Sequence, residues 1–179
     1  MVKSEIVNVV ATAALGQKMD ITKFKDFREI RYDSTVYHGR VAYFKKANMQ
    51  GRVSVFASGK MISVGTKNEK NAFRELEYAL KFLVKNGFAQ PAILDSKVRN
   101  IIVSANLENT VSLEKLSQMP KAIYEPEQFP SVILRLESPF KATILVFTSG
   151  KIVISGLTSS TQIDPTIQQL QTIIAESAE

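Results

Sequence analysis

VFASGKMISVG at residues 55–65 returns as VFTSGKIVISG at residues 146–156, with six of eleven positions identical. In each stretch apolar residues flank a Ser-Gly pair, and glycine supplies the positive φ that a tight hairpin turn requires. A Phe stands just before each turn and a Lys just after it. Two such hairpins 91 residues apart raise the question of whether the whole chain of 179 residues is written twice.

The match extends in both directions. IVNVVATAAL (6–15) lies over VRNIIVSANL (98–107) at a spacing of 92, superposing Asn8 on Asn100. Asp20, Ile21, Phe24 and Phe27 fall on Ser112, Leu113, Leu116 and Met119 at the same spacing. YDSTVYHG (32–39) falls on YEPEQFPS (124–131), which sets Tyr32 on Tyr124, Tyr37 on Phe129 and His38 on Pro130. The spacing then drops to 91, as one extra residue in the first copy's loop around 47–51 would produce. Two copies are too few for a solenoid, so the chain reads as one closed domain of two pseudo-symmetric repeats, 1–91 and 92–179, with no linker dividing them.

Each copy parses alike. Its opening segment is apolar and β-branched, the pattern of a strand. Asp20 and Ser112 are N-cap residue types ahead of a short amphipathic helix. VAYFKK, RVSVFAS and KMISVG in the first copy, and SVILRL, ATILVFTS and KIVISG in the second, supply further strands. A longer helix closes each copy. Phe73, Leu76, Leu80, Leu83 and Val84 form the first apolar face, ended by Asn86-Gly87; Asp164-Pro165 starts the second, with Ile167, Leu170, Ile173 and Ile174. The fold class is α+β, with helices on one side of an antiparallel sheet shared by the two copies.

Charge is divided unevenly. The net charge is +6, but residues 1–92 carry sixteen Lys/Arg against eight Asp/Glu while 93–179 carry seven against nine. One strongly basic half suits a polyanion partner, and equally a basic interaction domain. Other classes find little support. With no Cys and one His there is no thiolate chemistry, metal-ligand cluster or nucleophile with a base, nor is there a phosphate-cradling glycine loop, so neither an enzyme nor a cofactor is expected. Glu75 and Glu77 read as solvated helix charges. No apolar run is long enough for a membrane span, and MVKSEIVNVV lacks a signal-peptide pattern.

Strands such as ATILVF and KIVISG are apolar at nearly every position. One reading buries them on both sides. The other leaves a broad apolar face with basic edges, suited to the minor groove, where sugars and base edges tolerate apolar contact and Lys/Arg hold flanking phosphates.

IVNVVAT, YEPEQFP, VFTSGKIVISG and their first-half echoes resemble the TATA-box-binding protein family, most closely its archaeal members, over residues 3–175. That family is itself the usual example of minor-groove binding with inserted apolar wedges. The resemblance implies a saddle-shaped ten-stranded sheet that binds and bends A·T-rich promoter DNA. It implies four wedges, Phe129 and Phe147 in the second copy and Tyr37 and Phe56 in the first. Asn8 and Asn100 match the pair that hydrogen-bonds minor-groove acceptors. Val10, Ile62, Leu145, Val153 and Ile102 match apolar groove-lining positions; Lys60, Lys67, Arg135 and Lys151 match basic positions near phosphates. Pro130, beside the Phe129 wedge, and Val64 and Ser155 fall at DNA-binding positions; Glu125, Glu127 and Gln128 match the stirrup presented to transcription factor B, through which RNA polymerase is recruited. Such a protein is nucleoid-associated in the cytoplasm of an archaeon and nuclear in a eukaryote, and a homodimer of the free protein would hide the apolar face.

The first copy departs from the family pattern. Tyr37 and His38 replace the Phe-Pro of the second loop, Ser54 stands at a Leu position, and Val64 replaces a groove-contacting hydroxyl that the second copy keeps as Ser155. Tyr43 lies opposite Arg135 in the alignment, and Thr158 replaces a basic residue. These changes leave a second reading open: a family paralogue with weakened DNA binding that acts mainly through protein partners. His38 reads as a loop residue and not as a pH switch.

Overall fold

The structure is a computed structural model and describes residues 2–178. The chain divides into two compact units, Asn8–Arg99 and Asn100–Glu179 together with the residues before Asn8. Each holds one copy of the repeat.

In the unit Asn8–Arg99, strand β1 (Lys3–Ala14, from Asn8 onward) is followed by β2 (Ile30–Tyr32), β3 (Val41–Phe44), β4 (Arg52–Phe56) and β5 (Lys60–Thr66). Their order is β2-β3-β4-β5-β1, antiparallel throughout. A tight helical turn, Ile21–Asp26, starts at Asp20, whose carboxylate accepts from the Thr22 N–H as an N-cap. Helix α1 (Glu69–Lys85) is capped by Asn68, which accepts from Asn71 N–H at 2.8 Å.

The second unit repeats this order. Strands β6 (Lys97–Asn106), β7 (Ala122–Tyr124), β8 (Val132–Leu136), β9 (Ala142–Val146) and β10 (Lys151–Leu157) lie as β6-β10-β9-β8-β7. The short helix α2 (Leu113–Leu116) is capped by Ser112, as its residue type predicts. Helix α3 (Ile163–Ala178) begins earlier than Asp164-Pro165 predicts, because Ser159 and Gln162 form a capping box that opens a helical turn ahead of it. No helix among the described residues is long and apolar enough to cross a membrane.

The ten strands belong to one antiparallel sheet, and in each unit the core sits on one face of its strands. Helix α1 packs on β4 and β5 and buries Ala72, Leu76, Ala79, Phe82 and Leu83. Beneath lie Val53, Val55 and Met61, with Phe24 and Phe44 fully buried. Each large apolar side chain so buried contributes about 1.5–3 kcal/mol. The buried stripe of α1 is rotated from the predicted one: Phe73, Leu80 and Val84 are half-buried, and Glu75 is inside. Glu75 is not a solvated charge, because its Oε1 accepts the N–H of Gly51 at 2.9 Å and pins the β3–β4 loop to the helix. In the second unit Ile101, Val103, Ile144, Ile152 and Ile154 are buried, as are Ile163, Ile167 and Leu170 of α3 and Leu113 and Leu116 of α2.

Both Ser-Gly turns form as predicted. Gly59 N–H donates to Phe56 carbonyl at 2.8 Å and Gly150 N–H to Phe147 carbonyl at 2.9 Å, with φ of +85° and +82° at the two glycines. The turns also back onto the chain: a Cβ at Gly59 or Gly150 would lie 2.0 or 2.2 Å from the carbonyl oxygen of Gln17 or Asn109. Glycine is required twice over at each turn.

Candidate nucleic-acid interface

Strand alternation sorts every side chain of the sheets onto the core or onto the opposite face. Val9, Ala11, Val53, Val55 and Met61 are buried, whereas their neighbours Asn8, Val10, Ser54, Phe56, Ile62 and Val64 are half-exposed. In the other unit Ile101, Val103, Ile144, Val146, Ile152 and Ile154 are buried, while Asn100, Ile102, Leu145, Phe147, Val153 and Ser155 are half-exposed. The apolar strands are therefore not buried on both sides. Each unit carries an uncovered sheet face on which its predicted groove-lining residues stand together.

Cross-strand pairing aligns those residues in rows. In the second unit Ile123, Ile133, Leu145, Val153 and Ser104 stand side by side. The matching row of the first unit is Arg31, Tyr43, Ser54, Ile62 and Thr12. An apolar row in one copy is thus a polar and basic row in the other. Sequence reasoning passed over Arg31, Thr12, Ser104 and Ile133 and took Tyr43 only as the counterpart of Arg135, although their register with Ile62 and Val153 marks them.

The two asparagines have one geometry. Gly65 interrupts β5 at φ +101°, and the pairing skips it, with Val9 opposite Thr66 and Val10 opposite Val64. Gly156 does the same in β10 at φ +98°. Each glycine is a bulge residue, left out of the ladder with an N–H to satisfy. Gly65 N–H donates to Asn8 Oδ1 at 2.8 Å and Gly156 N–H to Asn100 Oδ1 at 2.7 Å. An N–H can pair only with the amide oxygen, so each amide is held by its acceptor, and its two N–H donors have no partner among the described residues. Thymine O2 and adenine N3 in the minor groove are acceptors, and guanine there adds a donor. Beyond each bulge the parity inverts: Thr66 and Leu157 point into the core, and the chain leaves for its helix.

The four aromatic residues expected as wedges differ between copies. Phe129, in the β7–β8 loop, and Phe147, at the end of β9, lie with ring centroids 6.0 Å apart, edge to face. Tyr37 and Phe56 make no such ring contact among the described residues, and Tyr37 is 71% exposed against 42% for Phe129. Loop length explains this. Tyr32 pairs with Ala42 and Tyr124 with Val132, so the first loop is two residues longer. It makes room with three successive left-handed residues, Tyr37, His38 and Gly39, at φ of 48°, 53° and 67°.

This also corrects the alignment. The spacing goes from 92 to 90 across that loop and back to 91 by β4, instead of changing once around 47–51. Tyr43 therefore stands where Ile133 stands, and it is Lys45 that matches Arg135. The first copy has kept its basic residue.

Basic groups edge the uncovered faces. Lys60 and Lys151 open β5 and β10, Lys67 follows β5, and Arg135 is exposed on β8. Arg52 lies across the Tyr43 ring, its guanidinium carbon 4.6 Å from the centroid, and Arg99 Nε donates to Thr12 Oγ1 at 2.9 Å. Neither arginine belongs to the set found from sequence. In the second stirrup Glu125, Glu127, Gln128 and Pro130 are all exposed, and Phe129 N–H donates to Glu125 carbonyl at 2.9 Å. In the first, Asp33 holds the loop by accepting from both the hydroxyl and the N–H of Thr35, at 2.6 and 2.8 Å. Those bonds, with Arg31 nearby, hold the Asp33 carboxyl below its ordinary range.

Comparison with known proteins fits this geometry. The profile of the family described as transcription factor TFIID, or TATA-binding protein, matches residues 3–86 and again 95–177. The TATA-box-binding protein of Cenarchaeum symbiosum is 42% identical over 159 residues, covering 88% of this chain and 86% of that protein. That of Pyrobaculum islandicum is 34% identical over 167 residues, covering 92% and 82%. Among solved structures, the Methanococcus jannaschii TBP superposes with a TM-score of 0.85 at 27% identity, over 97% of this chain and 99% of that one.

Proposed function

Because the chain belongs to the TATA-binding protein family, and is by that membership a transcription initiation factor and not an enzyme, we propose that its two uncovered sheet faces bind A·T-rich promoter DNA through the minor groove and bend it. The observation that carries this reading is the paired asparagine geometry. With Oδ1 of Asn8 and Asn100 turned to the N–H groups of Gly65 and Gly156, each amide is oriented by its oxygen and presents its N–H donors elsewhere, matching the acceptors of A·T pairs in either orientation and not the guanine amino donor. Val10, Ile62, Val64, Ile102, Leu145, Val153 and Ser155 supply the contact surface, and Lys60, Lys67, Arg135 and Lys151 the phosphate contacts. Phe129 with Phe147, and Phe56 with Tyr37, partly unstack base steps at a cost of a few kcal/mol, offset by contact along the bent groove.

The stirrup acids Glu125 and Glu127, with Gln128, dock transcription factor B and through it RNA polymerase. Carboxylates repel phosphate, so their position beside a wedge suits a basic protein and not the duplex.

The test is a short A·T-rich duplex carrying a fluorophore at each end, titrated with the chain at several salt concentrations. Expected are salt-sensitive binding and a rise in energy transfer, both lost in Phe129→Ala and Phe147→Ala. A second reading, a paralogue acting mainly through protein partners, is favoured by the lengthened first stirrup, where Tyr37 lacks the ring partner that Phe129 has. It would stand if no duplex bound while factor B still associated.

A further inference from the structure

The internal repeat supplies a control for an apolar groove in the second unit. In the first unit the chain beyond α1 folds back: Phe88 sets its ring edge-on against Phe24 at 4.7 Å and Phe27 at 5.2 Å, and Ala89 is buried. Phe88 N–H donates to Leu83 carbonyl at 2.8 Å, and the Gln17 side chain bonds both the carbonyl and the N–H of Gln90, at 3.4 and 3.3 Å. Leu83, whose carbonyl the segment bonds, and Leu15 are both buried.

The counterparts of Gln17, Leu15 and Leu83 are Asn109, Leu107 and Ile174. With Val111, Gln171 and Ala175 they line an open groove of about 250 Å3. Among the described residues Leu107 and Ile174 are only half-buried, where their first-copy equivalents are buried. The Asn109 side chain has no hydrogen-bond partner among the described residues, where Gln17 clamps a backbone. Ser177 Oγ donates to the Ile174 carbonyl at 2.8 Å, and the groove offers apolar surface edged by Asn109, Thr110 and Gln171. The chain beside the lining residues has turned acidic: Glu108, between Leu107 and Asn109, and Glu176, next to Ala175, are both exposed and stand where the first copy has Gly16 and Lys85. The nearby Lys115 is engaged, its Nζ on the Ala178 carbonyl at 2.7 Å.

We infer that this groove is a docking site for an extended segment of a protein partner carrying an aromatic residue flanked by basic residues. The aromatic ring enters over Leu107 and Ile174, as Phe88 enters the first copy. The residue two further along presents its backbone to Asn109, as Gln90 does to Gln17. The surrounding basic residues meet Glu108 and Glu176. The site is independent of the DNA-binding reading, since none of its residues stands on the uncovered sheet faces.

The probe is a fluorescein-labelled peptide with the sequence of residues 86–91, NGFAQP, extended by two lysines at each end and titrated into the full chain. Saturable binding is expected. It weakens about tenfold or more when the peptide Phe is replaced by Ala, or when Ala175→Trp plugs the groove, and less in Asn109→Ala. Both protein variants keep wild-type binding to the A·T-rich duplex, which shows that they are folded. If the wild type binds peptide and no duplex, the DNA reading fails and the groove stands. Absence of saturable binding up to about 1 mM peptide overturns the proposal, as does binding indifferent to the Phe or to Ala175→Trp. So does a dimer in sedimentation that Ala175→Trp makes monomeric, because a second copy then covers the groove.

Discussion

The Arg52 guanidinium carbon lies 4.6 Å from the centroid of the Tyr43 ring, on the uncovered face and between neighbouring rows, at positions where the other copy has Thr143 and Ile133. A stacked guanidinium is held extended and keeps its N–H donors for a further partner. In this chain a cation stands on the surface proposed for the groove and not only at its edges.

Arg52→Thr, which installs the second copy's residue type, should weaken binding to the A·T-rich duplex. If the arginine neutralises one phosphate, the slope of log K against log salt falls by about 0.9. Anisotropy titrations over a salt series measure this. An unchanged slope would show that Arg52 does not reach the backbone.

The asparagine geometry predicts a split between two substitutions. Asn100→Asp retains an oxygen for the Gly156 N–H but removes the amide donors, so thermal stability should hold while duplex binding weakens by about 1–3 kcal/mol. Asn100→Ala removes the acceptor as well and should lower stability by about 0.5–1.5 kcal/mol. Melting curves and duplex titrations on both variants separate the roles, and the same pair at Asn8 should behave alike.

At the hairpin turns, Gly150→Ala forces a left-handed alanine, costing roughly 1–2 kcal/mol, and drives its Cβ against the Asn109 carbonyl. The expected loss of at least about 2 kcal/mol lowers the melting temperature by roughly 4–8 °C, and Gly59→Ala should match it against Gln17.

The first stirrup should respond to acid. The Asp33 carboxyl is depressed chiefly by the Thr35 hydroxyl bond, so its contribution to loop order is present above the ordinary carboxylate range and is lost as pH falls through the depressed value. A carboxyl-detected NMR titration should find Asp33 protonating below a typical aspartate, and Thr35→Val should move it back up.

Much of this architecture was legible because duplication lets each copy check the other. Phe56 and Phe147, or Asn8 and Asn100, gain meaning by recurring, and period-two alternation then assigns a face. What stayed hidden were changes that cancel. Two residues gained before Val41 and one lost before Arg52 leave a net shift of one, so spacing alone concealed that Lys45 and not Tyr43 matches Arg135. The buried stripe of α1 was misjudged because Ala72 and Ala79 are small and Glu75 is charged, while Phe73 and Leu80 are large but only half-covered. The bulges could not be read at all, since a Gly near a strand end looks like an ordinary terminator until pairing shows that it has been skipped.

Those bulges bind two tasks that mutation would otherwise keep apart. The extra residue at Gly65 or Gly156 turns Thr66 or Leu157 inward and sends the chain to its helix, and the N–H it strands is the one that orients Asn8 or Asn100. A variant that closed either bulge to strengthen the sheet would release the amide from its anchor. A variant that exchanged the amide for an apolar side chain would leave the strand's exit unsupported. Base preference and chain path in each half are constrained to evolve together.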